Sequence, residues 1–459
     1  MHTASFDVAP TPAADRHLEA FQRLHDRIEN GEARIGVVGL GYVGLPLVAV
    51  IGRAGFEVVG FDVDAFKLAE LAAGRSYIRH VPSQLIADLV GSKAFRPSTE
   101  MASMRDVDVI VVCVPTPLTP HREPDLSFIT ATSEEIQPHL QPGQIIILES
   151  TTYPGTTRDV VRPILERSGL RSGRDFFLAY SPEREDPGNE KFSTAEIPKV
   201  VGGDGRRALQ LARLFYSRIV AGTVPVSSVE TAEAVKLTEN IFRAVNIALV
   251  NELKLVYEAM GIDVWEVVEA ARTKPFGFMP FYPGPGLGGH CLPIDPFYLT
   301  WKAREFGVPT RFIELAGEIN TSMPGHVVNR VAAALDERCR RGLNGARILV
   351  LGVAYKSDVD DIRESPAFRI IQLLEQRGAV TEYHDPYVPQ IPRTREHPEL
   401  SGRRSVSLQG ERLRDYAAAL ICTDHRIVDY SEVLESVPVV IDTRNACSRL
   451  PRSDKVIKA

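Results

Sequence analysis

Short apolar runs recur along the chain, and each is followed by a turn and a stretch with helical spacing of apolar residues. The first run, residues 33–39, ends in glycine. Further runs, short enough to be buried strands, lie at 56–62, 107–114, 145–149 and 176–180. Strands that alternate with helices are typical of a parallel sheet covered by helices. We therefore predict an α/β domain over residues 33–227, preceded by an N-terminal extension, residues 1–32.

The middle of the chain has a different pattern. An uninterrupted helical periodicity runs from about Ser228 to Met260 and stops at Gly261. At 1.5 Å per residue such a helix spans about 50 Å, which is longer than a typical domain requires. We expect it to link two lobes or to form a dimer interface. Together with a loop rich in glycine and proline and a further helix, it makes up the predicted central region, residues 228–340.

A second α/β lobe is predicted over residues 341–459, because its first apolar run repeats the start of the first domain. Residues 347–355 match residues 34–42 at five positions, namely Arg, Ile, Val, Gly and Tyr. The second copy has Ala354 and Ser357 where the first copy has its second and third glycines. A pyrophosphate would have less access to the backbone there. We therefore expect a related fold that binds another ligand.

Composition and charge exclude several classes of protein. The 459 residues exceed one ordinary core, so two or three domains are expected. A net charge of -6 gives no reason to expect nucleic acid or an acidic membrane as a partner. No apolar run approaches the roughly 18 residues of a membrane helix, and the N-terminus lacks a signal-peptide core. The five cysteines include no CxxC pair, which argues against disulfides and zinc and fits a reducing cytoplasm.

The turn after the first predicted strand carries the first sign of chemistry. It reads Gly39-Leu40-Gly41-Tyr42-Val43-Gly44. Glycines at this spacing allow a tight turn, close approach of a pyrophosphate and packing of the next helix. Asp62 follows at the end of the next predicted strand, where a carboxylate can bind the ribose diol of a dinucleotide. This carboxylate would repel a 2′-phosphate, so the sequence favours NAD over NADP. A purely structural glycine turn is the alternative.

Cys291 stands apart from the other cysteines. Cys113 and Cys422 lie in apolar runs typical of buried strands, and Cys339 lies among charged residues of a predicted helix. Cys291 follows the glycine- and proline-rich stretch 283–289, where neither a strand nor a helix is expected. A nucleophilic thiol is therefore the favoured interpretation, with a generic glycine loop as the alternative.

Polar residues at helical spacing lie on the long central helix. Lys236, Asn240 and Arg243 fall on one helix face, where they are either a solvated stripe or a set of groups that binds substrate and stabilises an oxyanion. Thr151 and Glu183 each follow a predicted strand, which is the edge of a parallel sheet that faces a ligand. Their alternative interpretation is a role in capping or turns.

With these motifs in order, the chain resembles the UDP-glucose/GDP-mannose dehydrogenase family, whose members oxidise the C6 alcohol of a nucleotide sugar to a carboxylate with NAD. The resemblance covers about residues 33 to 447 and rests on seven motifs. They are GLGYVGLP at 39–46, VPTP at 114–117, ESTTYPGTT at 149–157, YSPEREDPG at 180–188, KLTENIFRAVNIALVNE at 236–252, GGHCLPIDP at 288–296 and YKSDVDDIRESP at 355–366.

The resemblance implies a fold and a set of roles. The expected architecture is α/β, with two Rossmann-like parallel-sheet domains joined by a long central helix and a helical dimerisation region. Cys291 becomes the nucleophile, and a homodimer or dimer-based oligomer is implied. The remaining implied catalytic residues are Lys236, Asn240, Asp295, Thr151 and Glu183.

Binding residues are assigned through the same resemblance. The cofactor-binding residues are Gly39, Gly41, Tyr42, Val43, Gly44, Asp62, Thr116, Thr151 and Arg363. The substrate-binding residues are Glu183, Lys236, Asn240, Arg243, Tyr282, Gly288 and Lys356. The implied reaction comprises two hydride transfers to NAD. Between them Cys291 holds the aldehyde as a thiohemiacetal, and the second transfer gives a thioester that water hydrolyses.

The sugar is assigned through one segment. Residues 273–286, TKPFGFMPFYPGPG, look most like enzymes that act on UDP-N-acetylglucosamine for surface polysaccharides. UDP-N-acetylmannosamine is the nearest competitor, and UDP-glucose is a further alternative. A family carboxylate four residues after Glu183 is replaced by Pro187, so its role is not carried over. A simple two-electron dehydrogenase and a non-catalytic nucleotide-sugar binding protein are the alternatives from other classes.

Overall fold

The chain folds into two compact units, each with its own sheet. The structure is a computed structural model that describes residues 12–79, 81–119, 121–184, 195–289, 292–394, 397–409 and 411–459. The first unit ends at Thr238 and the second begins at Glu239. Among the described residues, no helix is long and apolar enough to cross a membrane.

An eight-stranded sheet forms the centre of the first unit. Its strands are β1 (Arg34–Val38), β2 (Glu57–Phe61), β3 (Phe95–Ser98), β4 (Val109–Val112), β5 (Ile145–Leu148), β6 (Phe177–Tyr180), β7 (Lys199–Gly203) and β8 (Thr223–Pro225). They lie in the order β3-β2-β1-β4-β5-β6-β7-β8, and all neighbours are parallel except β6 and β7. The first six strands have the order of a doubly wound dinucleotide-binding sheet.

Helices cover this sheet, so its central strands are apolar on both faces. The helices are α1 (Pro12–Glu29), α2 (Gly44–Arg53), α3 (Ala65–Ala72), α4 (Ser83–Gly91), α5 (Ser127–Ile136), α6 (Arg162–Leu165) and α7 (Arg206–Ile219). Helix α8 (Val229–Ala259) starts in the first unit and continues without a break into the second. Helix α1 belongs to the fold, because Leu24 and Ile28 are buried in its core.

The second unit contains a five-stranded parallel sheet. Its strands are β9 (Arg347–Leu351), β10 (Val380–His384), β11 (Ala418–Ile421), β12 (Val440–Asp442) and β13 (Val456–Lys458), in the order β10-β9-β11-β12-β13. Its further helices are α9 (Val264–Arg272), α10 (Asp295–Arg304), α11 (Arg311–Cys339), α12 (Pro366–Gln376) and α13 (Tyr430–Ser436). Helices α11 and α12 pack on this sheet in one apolar core.

The predicted fold class is confirmed by the two sheets. The predicted long helix is α8, and the predicted apolar runs form β1, β2, β4, β5 and β6. The pattern did not predict β3, β7 and β8, or the antiparallel pairing of β6 with β7. The proposed boundaries of the N-terminal extension, the two lobes and the central region stay a prediction.

Two glycines shape the turn between β1 and α2. Gly39 has a φ of 88°, a left-handed conformation that glycine adopts without strain. A Cβ atom on Gly44 would lie 1.9 Å from the carbonyl oxygen of Gly39, so a side chain cannot be accommodated. Gly41 differs, because a Cβ atom there would meet none of the described atoms within 4 Å. The first and third glycines therefore build the turn, and the second leaves space above it.

This difference predicts that two similar substitutions affect stability to different extents. Gly44→Ala should lower the free energy of unfolding by about 1–3 kcal/mol, the usual cost of overpacking, because the new methyl group collides with backbone. Gly41→Ala should leave the melting temperature nearly unchanged. Thermal unfolding followed by circular dichroism measures both variants. Equal melting temperatures for the two would contradict this account of the turn.

Candidate active site

The turn between β1 and α2 has the features of a dinucleotide-binding turn. Asp62 follows β2, and its Oδ2 atom accepts a hydrogen bond of 2.9 Å from the Leu40 amide and lies 3.2 Å from the Lys67 Nζ atom. The carboxylate is thus held beside the glycine turn, as the sequence predicts. Together with the open space above Gly41, it fits the ribose and pyrophosphate of NAD.

Two further strands end at the same edge of the sheet. Thr116, in the segment after β4, is buried, and Tyr42 and Val43, which directly precede α2, are half-buried. Thr151 and Thr152 follow β5. Thr152 is completely buried, and its hydroxyl has no hydrogen-bond partner among the described residues. The sequence predicts Thr151 as a site residue. The unpaired buried hydroxyl makes Thr152 a candidate as well.

A buried cluster of charges joins the ends of β5, β6 and β7. The Lys199 Nζ atom lies 2.9 Å from Glu149 Oε2 and 2.9 Å from Glu183 Oε2. Tyr216 donates its hydroxyl to the other oxygen of Glu149. Burial opposes the charged form of Lys199, but the two carboxylates outweigh it and raise the pKa of the lysine. The positively charged form of Lys199 is therefore favoured next to the two buried carboxylates.

Lys236 is brought to the same edge by α8. It is 6% exposed, and its Nζ atom donates a hydrogen bond to the main-chain oxygen of Glu183. The structure thus brings together two of the predicted site residues, Lys236 and Glu183. The alternative of a solvated stripe does not fit Lys236 or Asn240, because both side chains are buried. Arg243, in contrast, is exposed.

A second group of predicted residues lies within the second unit. Asn240 donates its side-chain amide to Asp295, the first residue of α10, and accepts a hydrogen bond from Arg243. Asn240 and Asp295 are 1% and 2% exposed. A buried carboxylate needs such donors, since an unpaired charge would be costly. The sequence pattern did not predict this pairing, because the two residues are 55 positions apart.

The loop before Cys291 is fixed by the C-terminal lobe. The Gly289 amide donates a hydrogen bond of 2.9 Å to the Arg363 carbonyl oxygen. A Cβ atom on Gly288 would lie 2.7 Å from the Cβ atom of Tyr355. Cys291 itself lies outside the described residues. The glycines that precede it are therefore needed for packing against residues of the motif at 355–366.

Three remaining predicted residues occupy defined places in the second unit. Lys356 is half-buried next to Tyr355. Arg363 forms an ion pair of 2.6 Å with Asp361. Tyr282 donates its hydroxyl to Glu269 over 2.6 Å and stacks on Trp265 with ring centroids 5.6 Å apart. These contacts neither assign nor exclude their predicted roles in binding.

The sequence pattern did not predict several residues that form the charge cluster, the segment after β5 and the support of the loop before Cys291. They are Glu149, Thr152, Lys199 and Asn251. Glu149 and Thr152 were visible within the quoted motif at 149–157, but Lys199 was hidden because a lysine that begins a strand gives no pattern. Asn251 accepts a hydrogen bond of 3.0 Å from the Gly284 amide and donates to Asn320. Only the folded structure shows that this asparagine holds the loop.

The arrangement offers defined chemistry. The Lys236 ammonium and the Asn240 amide lie four residues apart in one continuous helix and are both buried, so each acts in a medium where charge stabilisation is strong. Such donors suit an oxygen that becomes negative during addition to, or oxidation at, a carbon atom.

Family models match most of the chain in three consecutive parts. Residues 33–220 match the NAD binding domain of the UDP-glucose/GDP-mannose dehydrogenase family, and residues 230–322 match its central domain. Residues 349–449 match its UDP binding domain. The order of these parts agrees with the position of the glycine turn in the first unit.

Two curated relatives and one solved structure are similar over most of their lengths. The chain is 39% identical to the UDP-N-acetyl-D-glucosamine 6-dehydrogenase of Pseudomonas aeruginosa, covering 78% of this chain and 83% of the relative. It is 33% identical to the UDP-N-acetyl-D-mannosamine dehydrogenase of Pyrococcus horikoshii, covering 91% and 97%. The solved structure of a UDP-D-ManNAc dehydrogenase from Pyrococcus horikoshii aligns with a TM-score of 0.83 at 31% identity, covering 93% and 98%.

The glycine turn with Asp62, the sheet order and the matched domains agree with one another, and they confirm NAD as the cofactor. The chain therefore belongs to the UDP-glucose/GDP-mannose dehydrogenase family and is an NAD-dependent nucleotide-sugar dehydrogenase.

Proposed function

We propose that this protein oxidises the C6 alcohol of UDP-N-acetyl-D-glucosamine to the carboxylate. The observation that carries the proposal is the burial of Lys236 and Asn240, four residues apart in α8. These donors suit a reaction in which the oxygen on C6 gains negative charge. The 39% identity to a UDP-N-acetyl-D-glucosamine 6-dehydrogenase and the segment 273–286 favour this sugar over its C2 epimer.

In the proposed reaction, separate groups of residues bind NAD and bind the sugar. Bound NAD supplies the hydride acceptor. The residues proposed to hold it are Gly39, Gly41, Tyr42, Val43, Gly44, Asp62, Thr116, Thr151 and Arg363. Lys236 and Asn240 stabilise the oxygen of the C6 aldehyde after the first step. Glu183, Arg243, Tyr282, Gly288 and Lys356 complete the proposed substrate contacts.

A covalent bond to Cys291 would explain how one site can oxidise the same carbon atom twice. Its thiolate adds to the aldehyde carbon and forms a thiohemiacetal, whose oxidation gives a thioester. Water then adds to the thioester carbon and the carbon–sulfur bond breaks, which releases the carboxylate product and returns Cys291 to its free thiol form. Asp295, Glu183 and Thr151 are proposed to position this water and accept its proton. Two NAD are reduced for each sugar oxidised.

The biological setting follows from the product. A UDP-linked uronate is a building block of surface polysaccharides, and a reactive thiol requires a reducing compartment such as the cytoplasm.

We further propose that a second copy of the chain covers one face of α8. Phe242, Leu249, Val256 and Met260 lie seven, seven and four residues apart, so they fall on one face of the helix. Each is about half-exposed or more, from 48% to 64%. A continuous apolar stripe of this kind is typical of a surface that associates with a partner.

The substrate is tested by NADH formation with four sugars in parallel. UDP-N-acetylglucosamine should turn over fastest and yield two NADH for each sugar consumed, because the aldehyde stays bound between the steps. UDP-glucose, UDP-N-acetylgalactosamine and UDP-N-acetylmannosamine should react more slowly. The choice of sugar is wrong if UDP-N-acetylglucosamine is inert while another sugar reacts. One NADH per sugar would instead indicate a simple two-electron dehydrogenase.

The role of Cys291 is tested by replacing it with serine. Cys291→Ser should lower the kcat of the full oxidation by orders of magnitude, since a serine hydroxyl cannot form the thioester. Cys339→Ser is the matched control, because Cys339 lies at the end of α11 and is only partly buried. NADH formation and mass spectrometry of the product follow both variants. An unchanged yield of uronate in Cys291→Ser would remove the thioester from the mechanism.

The association surface is tested by one charge on the stripe. Leu249→Glu should convert a dimer-based assembly into monomers, because burying the carboxylate between two copies is costly. Ile427→Glu, at an exposed apolar position of the second unit away from the stripe in sequence, should leave the assembly intact. Light scattering after size-exclusion chromatography gives both masses. A monomeric wild-type protein would contradict the proposal.

A further inference from the structure

Glu233 is a buried carboxylate to which no role has been assigned so far. It lies on α8 and is completely buried. Its Oε2 atom accepts a hydrogen bond of 2.6 Å from the Gly155 amide. Its Oε1 atom accepts bonds of 2.8 Å from the Thr157 amide and 2.6 Å from the Thr157 hydroxyl. One side chain of α8 thus holds both ends of a three-residue turn.

This turn and this helix both carry residues of the proposed site. The turn belongs to the segment after β5, which also contains Thr151 and Thr152. Lys236 follows Glu233 by three residues on α8, so the two side chains are neighbours on the helix surface. Lys236 in turn reaches the main chain at Glu183 after β6. The bonds of Glu233 therefore set where α8 lies against the ends of β5 and β6.

Within the described part of the chain, no cationic side chain is bonded to the carboxylate of Glu233, whose hydrogen-bond partners are Gly155 and Thr157. Glu230 lies one turn earlier on α8 and raises the proton affinity of Glu233, while Arg158 forms ion pairs with Asp159 and Glu230. Burial raises the pKa of Glu233 to about 7, although the hydrogen bonds from Thr157 and Gly155 oppose this change. Protonation takes up one of the oxygen lone pairs, so a neutral carboxyl accepts these three bonds less well.

We infer that Glu233 is a positioning residue that fixes the turn bearing Thr151 and Thr152 to the helix bearing Lys236. Ionised Glu233 holds the turn, and neutral Glu233 holds it less firmly. The inference rests on the proposed function, because it assigns Glu233 to the geometry of the C6 oxidation site. It adds a residue that does not touch the substrate and acts through Lys236 and the turn.

Kinetics as a function of pH separate positioning from a general contribution to folding. Glu233→Gln keeps the size of the side chain but places an amide group against donors, and Glu233→Asp keeps the charge on a shorter side chain. Glu230→Gln is the control on the preceding turn. The kcat and KM for the preferred UDP-sugar, and the KM for NAD, are measured for each protein between pH 5.5 and 9.

The wild type should show a kcat that rises with pH through about 7. Glu230→Gln should keep this rise but shift it to lower pH, because it removes a negative charge that raises the proton affinity of Glu233. Glu233→Gln should lack this rise, and its kcat at pH 8 should be lower on the order of 10- to 100-fold, the range expected from displaced reacting groups. Its KM for NAD should change much less. Glu233→Asp should recover part of the kcat and the rise. The inference is overturned if Glu233→Gln keeps the same rise, or if its kcat stays within about twofold of the wild type.

Hydrogen exchange of the wild-type protein provides a test without substrate or substitution. The amides of Gly155 and Thr157 should lose protection, relative to amides in β4 and β5, as the pH falls below about 7. Constant relative protection would overturn the inference, even if a variant failed to fold. If the wild type is inactive on every UDP-sugar, the proposed function is contradicted. The exchange result then still decides whether ionised Glu233 holds the turn at Gly155 and Thr157.

Discussion

The buried ammonium group of Lys199 holds together the ends of β5 and β6, which lie next to candidate site residues of the first unit. Lys199 begins β7, and its two carboxylate partners follow β5 and β6. Removing one member of such a buried pair typically costs about 3–5 kcal/mol, because the remaining charge loses its compensation. The antiparallel pairing of β7 with β6 places the lysine at the edge where the parallel strands end. The main chain at Glu183, which accepts a hydrogen bond from Lys236, is therefore fixed by the same cluster.

In both lobes, a carboxylate holds the turn after the first strand of the sheet, but the two turns continue differently. In the second lobe, Asp385 follows β10 and accepts hydrogen bonds from the Val353 and Ala354 amides over 2.8 and 3.0 Å, as Asp62 does from Leu40 in the first. Both carboxylates pin the turn after the first strand of their sheet. The helix after the turn differs, since α2 follows at once whereas α12 begins only at Pro366. The second turn therefore lacks a helix N-terminus for a pyrophosphate, in agreement with the match of this lobe to a UDP binding domain.

The sequence was informative wherever local pattern determines structure. Apolar runs predicted the central strands, and the periodicity from 228 to 260 predicted α8 within one residue at either end. The glycine turn with Asp62 predicted NAD, which the matched domain confirms. Contacts between distant residues could not be predicted in this way. Asn240 with Asp295 and Glu233 with Thr157 are pairs whose members lie far apart in the chain, so their partners follow only from packing.

The sequence and the structure give different reasons for the glycines before Cys291. In the sequence they suggest a flexible loop that exposes a thiol. In the fold, a side chain on Gly288 or Gly289 would collide with Tyr355, and the Gly289 amide is bound by the main chain at Arg363. The described part of this loop is held by close packing, and such pre-organisation would serve the nucleophilic role proposed for Cys291. The motif at 355–366 therefore has a structural reason to accompany the cysteine motif, because it shapes the surface on which the loop rests.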